Sequence, residues 1–81
     1  MDLIIKTDGK VEFSKCSKYD LKQMQTIVGG FIELVDLSHD DFMVINEEGA
    51  INGMPINKTA SRIYGSPIFG DVLICNKNHI D

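Results

Sequence analysis

The chain has 81 residues, 43% hydrophobic and 25% charged, with a formal net charge of −4. That length suits one domain with a limited core, and the composition is globular rather than disordered. The acidic balance argues against nonspecific nucleic-acid binding, which needs a basic footprint, and no apolar run approaches membrane-spanning length.

Residues 1–6 are too short and too acidic for a signal peptide. Two cysteines, Cys16 and Cys75, are too few for a small disulfide scaffold. Reduced thiols in a cytoplasmic protein are the expectation, and a Cys16–Cys75 bridge is the alternative.

Residues 3–7 form a short β-branched run, followed by Asp8-Gly9 and then by an alternating segment, residues 10–13. An Asp-Gly pair between two such runs predicts an N-terminal β-hairpin over about residues 2–14, with an extended crossing as the alternative. Residues 17–28 change period: Leu21, Met24, Ile27 and Val28 recur as one helical face. Ser17 or Asp20 is placed to cap that helix. Gly29-Gly30 ends it, because glycine takes the left-handed conformation without a Cβ clash.

Residues 31–35 follow as a strand with apolar residues on both faces, interrupted by Glu33 and Asp36. Residues 38–41 read as a polar turn and residues 42–45 as a second two-sided strand. The two are expected to pair as an antiparallel hairpin. Residues 46–49 form the next turn, with Gly49 expected at positive φ. Residues 50–55 are irregular, since Pro55 restricts Met54 to an extended conformation. Asn57 is a plausible N-cap for a short helix from Lys58 to Tyr64, closed by Gly65. Residues 72–75 make a last strand, and residues 76–81 are expected to fray.

The expected order is β-β-α-β-β-α-β in a single α+β domain, residues 1–81, with a mostly antiparallel sheet of about five strands and two short helices. Two-sided strands need cover on both faces. The expectation is that two short helices cover only one face. The sheet then curls around its own core, or another subunit covers the rest as a homodimer.

Four segments together carry a resemblance. They are Ile27-Val28-Gly29-Gly30-Phe31-Ile32-Glu33, Asn46-Glu47-Glu48-Gly49, Gly53-Met54-Pro55-Ile56-Asn57 and Gly70-Asp71-Val72. In order and spacing they resemble a family of small domains of unknown function found in phages, plasmids and other mobile elements of bacteria. The resemblance covers about residues 20–75 and leaves the N-terminal part unmatched. It implies a mobile-element product acting in a bacterial cytoplasm, and it carries over no catalytic residue.

Candidate chemistry is sparse. His39 beside Asp40 and Asp41 suggests a metal site, but adjacent turn residues point apart and a site needs three or four converging ligands. Cys16 lacks a neighbouring base, as a nucleophile requires. Glu47 and Glu48 are consecutive at a turn and cannot face a common substrate gap as an acid–base pair does. A better candidate is the helix start carrying Asn57, Lys58 and Thr59, with Arg62 one turn on, which suits an anion. The other is acidic: no Lys or Arg lies between Lys22 and Lys58, a stretch holding Glu33, Asp36, Asp40, Asp41, Glu47 and Glu48. Such a patch repels nucleic acid and attracts a basic protein surface.

The expectation is a non-enzymatic protein-binding module without cofactor or metal. Its partner is expected to be a host bacterial protein, which it inhibits through the acidic region or an exposed strand edge. The alternative is an oligomeric protein binding a nucleotide or other anion at residues 57–62. An enzyme is the weaker third possibility.

Overall fold

The structure is a computed structural model that describes residues 2–14 and 16–80. The expected element order is present: β1 (Leu3–Ile5), β2 (Val11–Phe13), α1 (Leu21–Val28), β3 (Ile32–Asp36), β4 (Asp41–Asn46), α2 (Lys58–Tyr64) and β5 (Val72–Asn76). A 3₁₀ turn, Lys77–His79, follows. The five strands form one antiparallel sheet in the order β2-β1-β5-β4-β3. It is an α+β domain, as the apolar periods predict. Among the described residues, no helix is long and apolar enough to cross a membrane.

Strand β5 lies at the centre, and Val72, Leu73, Ile74 and Cys75 are all buried. Its two faces feed two cores. Val72 and Ile74 pack with Ile5, Met43, Ala60 of α2 and Ile68. Leu73 and Cys75 pack with Val44, Tyr19, and Met24 and Val28 of α1. The helices therefore sit on opposite faces of the sheet. This corrects the expectation that both helices serve one face and leave the other bare. A side-chain period of two makes β5 two-sided; α1 covers one side with Met24 and Val28, and α2 reaches the other through Ala60.

Helix α1 starts at the second of the two expected caps, Asp20, in a capping box. Asp20 Oδ1 accepts from Gln23 N–H at 2.8 Å, and Gln23 Oε1 accepts from Asp20 N–H at 2.9 Å. Leu21, expected on the core face, is 56% exposed, and Tyr19, just before the cap, is buried in its place. The two glycines after α1 have different reasons. Gly29 is left-handed at φ 82° and stops the helix. A Cβ on Gly30 would stand 2.9 Å from the amide nitrogen of Asn46. Gly49 also needs its bare backbone, but not for the expected positive φ, which it lacks. A Cβ there would meet the Phe69 carbonyl oxygen at 2.8 Å.

The hairpin β1–β2 is present, but its turn is longer than two residues. Lys6 N–H donates to Lys10 O at 2.8 Å and Gly9 N–H to Lys6 O at 3.0 Å. This closes a three-residue loop in which only Gly9 has positive φ.

Residues 76–80, expected to fray, are tied down. Tyr19 N–H donates to His79 O at 2.7 Å, and Asn78 N–H to the Asn76 side chain at 2.8 Å. Residue 81 lies outside the described residues.

Asn57 joins these parts. Its side chain is fully buried. Its amide donates to Ile5 O at 2.9 Å and Gly70 O at 3.0 Å, while its oxygen caps α2 by accepting from Ala60 N–H at 3.0 Å. Asp71, next along, accepts from Thr7 N–H at 2.9 Å and pairs with Lys6 at 3.6 Å. Replacing Asn57 with Ala removes a helix cap, worth about 1 kcal/mol, and strands two buried carbonyls, at about 1–3 kcal/mol. Asn57→Ala is expected to lower the unfolding free energy in urea by about 3 kcal/mol, whereas exposed Asn52→Ala changes it by under about 0.5 kcal/mol.

Candidate functional site

The acidic residues singled out in the sequence all fall on the β3–β4 hairpin or at its ends, but as two groups. Register pairs Glu33 with Ile45 and Asp36 with Phe42. Glu33 thus shares one end of the hairpin with Glu47 and Glu48, while Asp36, Asp40 and Asp41 gather at the tip. The two groups stand roughly 10 Å apart at about 3.4 Å per strand residue.

At the tip, one carboxylate of the three has a cation partner among the described residues. Asp36 pairs with Lys77 at 2.9 Å, and Lys77 also lies 4.9 Å from the Phe42 ring centroid. Asp40 O accepts from Lys77 N–H at 2.8 Å. Asp41 is half-buried and its carboxylate accepts from Ser38 Oγ at 3.4 Å. His39 is exposed. Among the described residues no three His, Cys, Asp or Glu side chains converge as a metal site.

The other end is different. Glu33, Glu47 and Glu48 are exposed, and among the described residues none of them has a cation within ion-pair distance. Glu33 and Glu47 flank a cavity of about 170 Å³ whose apolar walls are Ile45, Pro67, Ile68 and Phe69. Asn46 holds this end in place. Its amide donates to Val28 O at 3.1 Å and its oxygen accepts from Glu48 N–H at 2.8 Å.

Beside this cavity runs the outer edge of β3. Glu47 N–H donates to Phe31 O at 2.8 Å, and Leu37 N–H to Asp41 O at 3.1 Å. Antiparallel ladders alternate between bonded and non-bonded pairs. Glu33 and Val35 therefore bond to β4, and Ile32, Leu34 and Asp36 turn their N–H and C=O groups outward. Phe31 is 65% exposed and Leu34 41%. This edge, with a paired acidic cavity at one end, was not visible in the sequence, because the alternation of bonds depends on register.

The helix-start candidates differ in exposure. Asn57 is buried with its oxygen already engaged by Ala60 and its amide by two carbonyls. Lys58 is exposed, Thr59 half-buried, and Arg62 lies exposed in the last turn of the seven-residue helix α2.

A second cluster lies near the N-terminus. Buried Asp2 accepts from Asn76 N–H at 3.2 Å and pairs with His79 Nδ1 at 2.8 Å. The Tyr19 hydroxyl donates to Ser14 Oγ. Ser14, Cys16, Tyr19 and Ile27 border an open groove of about 400 Å³ between α1 and β1. Burial pushes the Tyr19 phenol up to about 12, with the Asp2 carboxylate adding to it. Burial likewise pushes the Cys75 thiol up to about 11. Both groups are therefore neutral at physiological pH and supply no ready anionic nucleophile.

Cys16 is exposed and Cys75 buried, both as free thiols. An aromatic disulfide reagent at about pH 8 is expected to modify one thiol quickly, at Cys16, and to reach Cys75 only in denaturant. Fast modification of both would contradict the buried position of Cys75.

The raised values also set a pH dependence. Tyr19 and Cys75 bind their protons more tightly folded than unfolded, so their contribution is fully present below the unfolded values of 10.0 and 9.0. It is lost as pH rises toward about 12 and about 11. Urea midpoints are expected to fall between pH 9 and 12. Cys75→Ala should flatten the lower part of the fall, and an unchanged pH profile in that variant would contradict the assignment.

No curated protein and no solved structure matches the chain. A family model for a domain of unknown function, DUF3846, matches residues 1–81, including the N-terminal part that the four motifs left out. The structure gives those motifs architectural work: Gly30 against Asn46, Gly49 against Phe69, and Asn57 bonded to Gly70. The chain belongs to the DUF3846 family of domains of unknown function.

Proposed function

We propose that this protein is a non-enzymatic protein-binding module, and that its contact surface is the Glu33–Glu47 end of the β3–β4 hairpin with the adjoining β3 edge. One observation carries the reading. An unpaired strand edge, apolar at Phe31 and Leu34, stands beside two carboxylates that have no cation among the described residues. An open edge offers a row of backbone donors and acceptors to another chain, and charges along it select the partner. Acidic residues favour a basic partner surface and speed its approach. The neutral Tyr19 and Cys75 give a catalytic reading little support. Origin in a phage or other mobile element, action in a bacterial cytoplasm and inhibition of a host protein belong to the same proposal. They rest on the resemblance of the motifs.

The test is affinity capture from bacterial lysate with the wild-type protein, the double variant Glu33→Lys/Glu47→Lys, and the double variant Lys58→Ala/Arg62→Ala. All four positions are exposed, so the fold should survive in each variant, checked by circular dichroism. The expected result is one stoichiometric protein retained by wild type and by the Lys58/Arg62 variant, and lost by the Glu33/Glu47 variant. Retention by the charge-reversed variant would overturn the assignment of this surface, and loss with Lys58→Ala/Arg62→Ala would move the contact to α2.

A further inference from the structure

Resting on that reading, we infer that the partner is bound by strand addition to β3, as an extended segment that seats a Lys or Arg side chain in the Glu33–Glu47 cavity. The backbone of β3 specifies the first part. Ile32, Leu34 and Asp36 present outward N–H and C=O groups, so three successive alternate residues can pair with an incoming strand. Strand addition uses such a row for affinity and leaves specificity to the side chains that alternate on its two faces.

Those faces differ. On the α1 side, Ile32 and Leu34 lie next to the incoming strand and favour apolar side chains. On the α2 side, Glu33 and Val35 lie next to it. An added strand stands about 4.8 Å beyond β3, within one long side chain of Glu33 and the cavity behind it. The cavity suits a basic side chain in both parts. Ile45, Pro67 and Phe69 offer apolar walls for an aliphatic stem, while Glu33 and Glu47 at its border take up the charge. Acidic residues alone would not choose between a diffuse electrostatic contact and an inserted side chain. The apolar walls favour insertion. The partner segment is thus expected to alternate apolar residues with Lys or Arg, the basic ones facing the α2 side.

The probe is a short peptide alternating valine and lysine, compared with the same peptide carrying glutamate for lysine. Binding is read by amide chemical shifts and hydrogen exchange of the full chain. The lysine peptide is expected to slow exchange at Ile32, Leu34 and Asp36 and to bind at least about tenfold more tightly than the glutamate peptide. Glu33→Lys/Glu47→Lys should weaken it by about tenfold or more. Leu34→Pro removes an outward N–H without removing a ladder bond to β4, and should abolish the exchange protection. The protection pattern in the wild-type protein keeps the test decisive if Leu34→Pro does not fold. Charge-dependent binding without protection at those three amides would overturn strand addition while leaving the acidic contact surface standing. Absence of saturable binding up to about 1 mM peptide would also overturn strand addition, and the lysate experiment would then judge the surface by its own result.

Discussion

The carboxamide of Asn57 is the constraint on which the rest of the structure depends. It sits between the end of β1, the approach to β5 and the first turn of α2, and each of its polar atoms has a partner. Leaving a buried amide unbonded is costly, and full bonding restrains the groups that it bonds. Here it locks the central strand to the helix that covers one of its faces. Asn46 acts similarly on the other face, by tying the C-terminal end of α1 to the turn after β4. Two asparagines thus fix where the two helices sit, and Gly30 and Gly49 clear the backbone contacts that this requires. In a chain of 81 residues, where apolar burial is limited, such bonded clips matter more than they would in a larger core.

Much of this was legible in the sequence because it is local. The bounds of α2 follow from an Asn cap and a Gly stop, and both are found as read, at Asn57 and Gly65. The strands follow from β-branched runs between turns. What period cannot give is the side of the sheet on which a helix lands. Leu21 shares a helical face with Met24 and Val28 yet ends up exposed, because Tyr19 reaches the core from outside the helix. The Asn57–Ile5 bond spans 52 positions and leaves no local trace. The same holds for the cavity at Glu33, whose walls come from residues near 45 and near 68.

The acidic stretch shows how far composition leads. As sequence it is one patch. In the fold, Lys77 reaches across from the end of β5 and answers Asp36, one of the three carboxylates at the tip. Of the others, Asp40 and Asp41 stay at the tip, and Glu33, Glu47 and Glu48 gather at the opposite end, where Glu33 and Glu47 border apolar walls. The acidic stretch is therefore two separate groups in the fold, and one of them includes an ion pair.

That placement bears on self-association as well. A sheet with two open edges can grow by pairing with copies of itself. Antiparallel pairing of β3 with a second β3 about Leu34 would bring two acidic edges together, each from a chain of net charge −4. Like charges along an edge raise the free energy of that arrangement and slow its encounter. At the opposite edge the outward positions are Val11 and Phe13, both exposed and apolar, so a second copy finds less resistance at β2 than at β3. The charges on β3 thus bear on both pairings: they oppose a second copy at that edge, and under the proposed strand addition they favour a strand that brings positive charge.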